Sequence, residues 1–332
     1  MKFIILLVSL SLAAAGTFLF QPLHPDEGQF AQIAANWHQG IWPYSLIHDN
    51  KPPGIYLIYL GLRPLLGEAI TGYRLVFLII NLLGASAVYL IGRHDYDVRV
   101  GWWGGLTYLG LLYLYQGIFA LTEPPVAALT AWCGWLLCSR DKRPRVASSL
   151  SLGIIGGLML IMKQPAVSLI LWLAGAVKAT GYKLGLFGLG LIIVPGLITG
   201  WWAREGQVGV LIKAVVINNL SAYPASFGVT TFNFIASQII LPALVIWLII
   251  GWGWIKQVPQ GQRRQSYLIA IILLLPWLLY RPYHHYWILI VPFMSVWVMD
   301  IMAIQKRWRL FLGIQLMLIY MGSIWLNLVN RQ

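Results

Sequence analysis

Residues 24–54 read HPDEGQFAQIAANWHQGIWPYSLIHDNKPPG and form the first long polar stretch in an otherwise apolar chain. The stretch holds three of the ten acidic residues, Asp26, Glu27 and Asp49, and three of the six histidines. Ionisable residues are rare in membrane proteins and tend to mark the places where binding or chemistry occurs. We therefore expect these residues to form the heart of an active site at a membrane surface.

The composition indicates an all-α, polytopic integral membrane protein. Of 332 residues, 59% are hydrophobic and only 10% are charged, against about 25% charged in a typical soluble protein. The net charge of +13 does not indicate a nucleic-acid partner, because the basic residues cluster in short loops between apolar runs, as cytoplasmic loops do. Cys133 and Cys138 lie inside one apolar run, so no disulfide is predicted.

Apolar runs of membrane-spanning length predict about eleven helices. They lie at about 3–20, 71–91, 100–121, 124–139, 147–162, 165–177, 183–203, 234–255, 267–280, 286–303 and 310–328. We interpret the first as an uncleaved transmembrane helix rather than a signal peptide. Residues 55–66 are too short for a span and are interrupted by Arg63 and Pro64, which predicts a re-entrant or interfacial helix. We expect a single transmembrane domain over residues 1–332, without a soluble C-terminal domain.

The distribution of Lys and Arg predicts the orientation. If the helices alternate, Lys2 and the basic loops at 93–99, 140–145, 178–183, 256–264 and 305–309 face the cytoplasm. The opposite face then carries two long loops, 21–54 and 204–233, and three short loops rich in ionisable or aromatic residues. We therefore expect the active site to face the periplasm or exterior of a bacterial inner membrane.

The first long loop has two parts. Pro25 suits the first turn of a helix, and Gly40 suits its end. Between them an apolar stripe at helical spacing predicts an amphipathic helix in the membrane interface, beginning at Asp26 and Glu27; it consists of Phe30, Ile33, Ala34 and Trp37. In the second part, HDNKPPG (48–54), the proline pair holds Lys51 rigidly beside Asp49, with His48 adjacent as a supporting group.

The short outer loops add further candidates. Glu123, in LTEPPV (121–126), has no basic neighbour in sequence and so needs a metal, a distant base or a substrate. Lys163 ends a helix on the same face. The segment YRPYHHYW (280–287) supplies Arg281, His284, His285 and Tyr286, whose cationic groups suit an anion such as phosphate. A divalent metal on Asp26, Glu123 and His284 stays open as a cofactor.

Carboxylates and cations on one membrane face fit substitution at a carbon that bears a phosphate leaving group. A carboxylate would take the proton of an acceptor hydroxyl, and the cations would stabilise the charge that develops on the departing phosphate. Nucleotide-activated donors are scarce outside the cytoplasm, so an activated sugar would have to arrive on a membrane lipid. The partners are then a lipid-linked sugar, an acceptor that is a lipid, glycan or protein, and membrane lipids.

The ordered set HPDEGQFAQIA, DNKPPG, TEPP, MKQPA and YHHYWILIVP, over about residues 20–295, resembles the GT-C glycosyltransferases of the aminoarabinose transferase and protein O-mannosyltransferase group. The resemblance implies a GT-C helix bundle and an inverting transfer from a polyprenyl-phosphate sugar. It implies that Asp26 stands at the family's catalytic acidic position, with Glu27 next to it in sequence. It also implies that Lys51 and Glu123 match other catalytic positions of the family. It assigns Lys163 to the donor phosphate, and residues 284–286 to the lipid site.

One departure from this pattern is Asn50, which stands where relatives often carry an acid. Two other functions stay open. The first is a transporter or flippase of lipid-linked sugars or other anions, although transporters usually place ionisable groups at the bilayer midplane. The second is a catalytically silent membrane subunit, for which Asn50 is the reason.

Overall fold

The protein is helical throughout the part that the structure, a computed structural model, describes. This part comprises residues 2–139, 145–177, 181–221, 235–240, 243–255, 262–280 and 283–329. No strand occurs within these ranges. The all-α fold class predicted from the sequence is therefore confirmed.

The described residues of the first half of the chain form seven helices. They are α1 (Lys2–Phe18), α2 (Pro25–His38), α3 (Gly54–Leu66), α4 (Ile70–Asp95), α5 (Val98–Leu114), α6 (Glu123–Cys138) and α7 (Arg145–Met162). The second half begins with α8 (Ala166–Ala176), α9 (Tyr182–Arg204), α10 (Val208–Ile212), a π-helical turn at Lys213–Ile217 and α11 (Asn218–Ser221). It continues with a π-helix at Ile235–Ile240, α12 (Leu244–Ile255), α13 (Gln262–Tyr280), a 3₁₀ helix at His284–Ile290, α14 (Val291–Ile304) and α15 (Trp308–Val329).

Two of the predicted helices are less regular than the apolar pattern suggests. Within the run predicted at 234–255, the described residues form a π-helix at Ile235–Ile240 and the α-helix α12. The run predicted at 286–303 starts with a 3₁₀ helix before α14. Hydropathy measures only how apolar a segment is, so it does not distinguish these helix types.

Four helical segments are long and apolar enough to cross a membrane, as judged by length and composition within the described residues. They are Ile70–Asp95, Tyr182–Arg204, His284–Ile304 and Trp308–Trp325. The other apolar helices do not meet this criterion within the described residues, so the predicted count of about eleven spans is not confirmed. α3 has 13 residues, a length of about 20 Å at about 1.5 Å per residue, which agrees with the prediction that it is too short for a comfortable span.

The packing of α3, α4, α6 and α7 brings the polar segments to one end of the bundle. α4 packs against both α5 and α6, α2 lies on α3, and α7 runs along α9. α3 approaches α7 so closely that a Cβ on Gly54 would lie 2.5 Å from the Ile161 carbonyl oxygen and 2.7 Å from the Met162 sulfur. Only glycine fits there without a shift of the backbone, so the residue after the proline pair determines where α3 meets α7.

Candidate active site

α2 presents Asp26 in its first turn. The His24 Nδ1 accepts a hydrogen bond from the Asp26 backbone N–H at 3.2 Å, while the Glu27 carboxylate accepts from the His24 N–H at 3.1 Å. This reciprocal cap satisfies two backbone donors that a helix start leaves open. Burial lowers the pKa of His24, partly offset by the carboxylates of Asp26 and Glu27, which favours the neutral imidazole that this cap requires.

The apolar stripe predicted to lie in the membrane interface is instead buried within the protein, and Gly40 follows the helix end with a φ of +89°. Its members are Phe30, Ile33, Ala34 and Trp37. This stripe packs inside the protein, against α3 among other elements. The amphipathic helix is therefore present, and its apolar face is covered by the protein itself.

Glu27 lies in a fully buried ion pair with Arg74 of α4. The Arg74 Nε and Nη2 donate to the two carboxylate oxygens at 3.0 and 2.6 Å, a bidentate geometry. The Ala120 N–H also donates to Glu27, at 2.8 Å. The remaining Arg74 hydrogens reach carbonyls at the end of α1, including those of Gln21 at 2.6 Å and Pro22 at 2.9 Å. With both oxygens engaged, Glu27 joins α1, α2 and α4 and is not accessible to a substrate, unlike its sequence neighbour Asp26.

Lys51 lies between two carboxylates. Its Nζ is 3.3 Å from Asp49 Oδ1 and 3.5 Å from Asp26 Oδ1, and it lies 5.1 Å from the centre of the Phe30 ring. Asp49 is fixed in turn by the Tyr56 hydroxyl, which donates to Oδ2 at 2.8 Å. Burial alone would lower the pKa of Lys51, but Asp49 and Asp26 outweigh it and raise that pKa. Lys51 is therefore an ammonium group that links Asp26 to the HDNKPPG turn.

Asn50 contributes its backbone to this turn. Its N–H donates to Asp49 at 2.7 Å, and its carbonyl accepts from the side-chain amides of Gln164 and Asn219. Although Asn50 stands where relatives often carry an acid, Lys51 still has a carboxylate partner, because the adjacent Asp49 supplies one. The same carbonyl connects the first long loop to the segment that begins the second.

The second part of the site is built on the ends of α6 and α7. Glu123 is buried and ion-paired with Lys163, and it also accepts from the Thr122 hydroxyl at 2.9 Å. His285 Nε2 lies 3.7 Å from the same carboxylate. The Lys163 ammonium lies 3.8 Å from the centre of the Tyr286 ring, a cation–π geometry. Glu123, without a basic neighbour in sequence, thus finds its cation across the helix bundle.

Aromatic contacts connect the two parts. The rings of His24 and His285 are 6.2 Å apart and perpendicular, and the Tyr286 phenol lies near enough to Lys51 to contribute to the raised pKa of that lysine. Beside them a cavity of about 360 Å³ is lined by Pro52, Gln164 and Tyr286 among other residues. The two lysine–carboxylate groups and the cavity therefore form one site.

Most of the residues selected from the sequence meet here: Asp26, Glu27, Asp49, Lys51, Glu123, Lys163, His285 and Tyr286. His48 does not take part through its side chain, which is exposed, although its carbonyl accepts from Gln29 at 2.9 Å. Arg281 lies outside the described residues. The ligand atoms of Asp26, Glu123 and His284 are not within 4.8 Å of one another, so the metal site considered for these three residues is not assembled in the described structure.

The sequence interpretation missed several contributors, among them Arg74, Gln164, Asn219 and the hydroxyl groups of Tyr56 and Thr122. Arg74 carried a usable signal, because a lone arginine inside an apolar helix requires a partner. Gln164 and Asn219 carried none, since neutral amides are common at helix ends and their shared acceptor is a backbone carbonyl.

Comparison with known proteins gives one family match. Residues 50–198 match the family model described as dolichyl-phosphate-mannose-protein mannosyltransferase. A curated relative, the apolipoprotein N-acyltransferase of Photobacterium profundum, is 33% identical over 107 residues, which is 28% of this chain and 21% of that protein. The chain thus spans about a fifth of that relative.

Solved structures give a broader similarity. ArnT from Cupriavidus metallidurans in the apo state has a TM-score of 0.67 and 17% identity, covering 91% of this chain and 59% of ArnT. The same protein bound to undecaprenyl phosphate gives 0.66 and 16%, with 92% and 60% covered. An Archaeoglobus fulgidus oligosaccharyltransferase, crystallised with Zn and sulfate, gives 0.53 and 12%, with 97% and 52% covered.

At these identities the structural matches establish the fold, which extends over nearly the whole chain, while the chain spans about three fifths of ArnT. The family match independently covers the segment from Asn50 through α3, α4, α6 and Lys163. Together these comparisons confirm the resemblance of this integral membrane protein to the GT-C superfamily glycosyltransferases of the aminoarabinose transferase and protein O-mannosyltransferase type.

Proposed function

We propose that the protein is a membrane glycosyltransferase that transfers a sugar from a polyprenyl-phosphate-linked donor to an acceptor hydroxyl. Residues 1–332 act as one transmembrane domain whose active site faces the periplasm or exterior of a bacterial inner membrane. The observation that carries this proposal is the meeting of two lysine–carboxylate groups, from separate segments, beside one cavity at one end of the bundle.

Asp26 is the general base in this proposal. Its side chain is 26% exposed, against 3% for Asp49 and 1% for Glu123, so it is the carboxylate of the three that an acceptor hydroxyl can best approach. Lys51 and the cap on α2 hold it in place. The acceptor oxygen attacks the anomeric carbon, its proton passes to Asp26, and the bond from that carbon to the phosphate oxygen breaks. The configuration inverts, and polyprenyl phosphate leaves.

Lys163 and the 283–286 turn serve the donor phosphate. The Lys163 ammonium and the His285 imidazole both lie at the Glu123 carboxylate, and Tyr286 borders both Lys163 and the cavity. A charge that develops on a phosphate here is stabilised by a cation already fixed in position. Glu123 fixes that cation and so acts as a positioning residue. Arg281, two residues before Tyr283, is a further candidate cation for the same phosphate.

In this proposal the cavity binds the lipid part of the donor. Its lining is mainly apolar, including Leu160, Val215 and Trp277, and burying methylene groups in such surroundings contributes about 0.8 kcal/mol for each CH₂. A cavity of about 360 Å³ holds the phosphate-proximal part of an isoprenoid chain, and the rest of the chain would remain in the membrane. Its position beside Pro52 directs the donor head group toward Lys51 and Asp26.

The test is turnover by the full chain in liposomes that contain synthetic polyprenyl-phosphate sugars, followed as release of polyprenyl phosphate. Asp26→Asn is expected to lower kcat by about 10²- to 10⁴-fold, the usual contribution of a general base, while the donor Kd stays unchanged. Glu68→Gln is the matched control, because this carboxylate is 82% exposed and pairs only with Arg63 in the described contacts.

Full activity of Asp26→Asn would remove Asp26 as the base. Wild-type protein that moves the lipid-linked sugar between leaflets without releasing polyprenyl phosphate would contradict the transferase and identify a flippase instead. The donor that supports turnover would also name the sugar.

A further inference from the structure

Three side chains with metal-binding atoms converge where α4 and α6 end. The His94 Nδ1 lies 3.0 Å from Asp95 Oδ1, and the Cys138 Sγ lies 3.5 Å from His94 Nδ1 and 3.2 Å from Asp95 Oδ1. Among the described residues this is the group of histidine, cysteine and acidic side chains whose ligand atoms all lie within 4.8 Å of one another. Cys138 is not in a disulfide.

These separations match the edges of a tetrahedral zinc site. Zinc binds imidazole nitrogen and carboxylate oxygen at about 2.0–2.2 Å and thiolate sulfur at about 2.3 Å, which places tetrahedral ligand atoms about 3.4–3.6 Å apart. The Cys138–His94 distance lies within this range and the two distances to Asp95 are shorter than it by about 0.2–0.4 Å, so slight side-chain rotation would bring all three atoms into position. A thiolate, an imidazole and a carboxylate together suit Zn²⁺ better than the oxygen-seeking Mg²⁺ or Ca²⁺.

The helix termini at this place favour a cation, although basic residues flank the cluster in sequence. α4 ends at Asp95 and α6 ends at Cys138, so two helix C-termini, each carrying partial negative charge, point toward this place. The His94 ring is oriented by Trp135, whose ring lies 5.7 Å away and nearly perpendicular. The side chains of His94 and Asp95 are 30% and 16% exposed, which leaves a path for an ion to enter.

This cluster is separate from the active site. Glu123 begins α6 and Cys138 ends it, while Arg74 lies near the start of α4 and Asp95 ends it. At about 1.5 Å per residue, α4 alone separates Arg74 from Asp95 by about 30 Å. A metal ion bound here therefore cannot touch the reacting atoms.

We propose that His94, Asp95 and Cys138 bind one Zn²⁺ ion, with a water molecule as the fourth ligand. Binding deprotonates the Cys138 thiol and releases that proton to solvent. The ion joins the ends of α4 and α6, and because its ligands come from two helices, it opposes their separation. This site is structural, independent of the proposed transferase activity, and lies at the opposite end of α4 from the Glu27–Arg74 pair.

The experiment uses the purified full chain in detergent, stripped with a chelator and titrated with Zn²⁺ or with Co²⁺ as a spectroscopic probe. We expect one ion per chain and a thiolate-to-Co²⁺ charge-transfer band. Cys138→Ser should abolish the band and weaken Zn²⁺ binding by at least about 100-fold, since loss of a group that merely supports a metal ligand already costs about 10- to 100-fold. His94→Ala should weaken binding similarly.

Cys133→Ala is the matched control, because Cys133 lies on the same helix, is completely buried and is outside the cluster; it should bind as the wild type does. A second measurement on the wild type needs no variant: Zn²⁺ should slow alkylation of Cys138 by a maleimide. Absence of the band, equal Zn²⁺ affinity of Cys138→Ser and wild type, or alkylation that Zn²⁺ does not slow would each overturn the proposal.

Discussion

The buried pair of Glu27 and Arg74 offers the sharpest test of how the candidate active site is held together. Both side chains have no solvent exposure, and each carboxylate oxygen accepts from the guanidinium, at 3.0 and 2.6 Å. Replacing Glu27 by Gln keeps the size of the side chain but leaves a full positive charge buried without its counterion. Breaking a buried pair in this way costs about 3–5 kcal/mol.

Two backbone hydrogen bonds to Glu27 make the expected loss of stability different for Glu27→Gln and Glu27→Leu. The N–H groups of His24 and Ala120 also donate to the carboxylate. They donate to different oxygens, so glutamine leaves one N–H without an acceptor, and Glu27→Gln should destabilise the protein by about 4 kcal/mol. Leucine keeps none, and each buried N–H left without an acceptor adds about 1 kcal/mol or more, so Glu27→Leu should cost about 5 kcal/mol.

A double-mutant cycle then isolates the ion pair. Glu27→Leu combined with Arg74→Met removes both charges, so the combined cost should be about 2–3 kcal/mol less than the sum of the single costs. The cost does not vanish, because Arg74 also donates to the carbonyls of Gln21 and Pro22. The free energy of unfolding would be measured by steric trapping in bilayers, with folded-state activity as a second readout.

The exposed pair of Arg63 and Glu68 is the control for this cycle. Its N–O distance is 3.0 Å, yet Glu68 is 82% exposed, and such surface pairs contribute about 0–1 kcal/mol. A cost below about 1 kcal/mol for Glu27→Gln, or strictly additive costs in the cycle, would refute the view that Glu27 holds α2 to α4 electrostatically.

Three further outcomes follow from the geometry. Lys163→Ala should raise the donor Kd at least about tenfold with little change in acceptor KM, since a charge-assisted hydrogen bond contributes about 1.5–3 kcal/mol; an unchanged donor Kd in equilibrium binding would remove Lys163 from the phosphate site. Gly54→Ala should destabilise the protein by about 1–3 kcal/mol through overpacking against α7. Gly61→Ala should not, because a Cβ there would meet nothing within 4 Å. Equal shifts in the thermal unfolding temperature of the two variants would contradict this. Because burial lowers the pKa of His24, its neutral form stabilises the fold fully above pH 6.5, and this stability is lost as the pH falls through 6.5 toward the folded-state pKa. His24→Asn keeps a capping group and should remove that part of the pH dependence in unfolding titrations.

Local features of the structure were largely predictable from the sequence. The start of α2 at Pro25, the helical spacing of its apolar stripe and its end before Gly40 agree with the sequence interpretation, whereas the stripe contacts the protein core and not the membrane interface. Each depends on interactions among residues within about one or two helical turns, such as capping and 3.6-residue periodicity. Asp49 beside Lys51 was predictable for the same reason, because a stiff turn fixes neighbours directly.

Contacts between helices were not predictable in this way. Glu123 was selected because it lacked a partner, but its partner Lys163 is 40 residues away, and the partner of Glu27 is 47 residues away. The predicted number of spans is not confirmed, because four segments among the described residues meet the length and composition criterion.

By itself, then, the sequence determined an all-α membrane protein with a polar segment that carries Asp26, Asp49 and Lys51, because apolarity, caps and proline turns act locally. The tertiary structure decided that Asp26 stays accessible while its neighbour Glu27 forms a buried ion pair with Arg74. It also decided that Lys163 forms an ion pair with Glu123. The same tertiary structure brings the ligand atoms of His94, Asp95 and Cys138 within 4.8 Å of one another. The physical reason is that a side chain's charge partner depends on where helices cross, and no short stretch of sequence specifies a crossing.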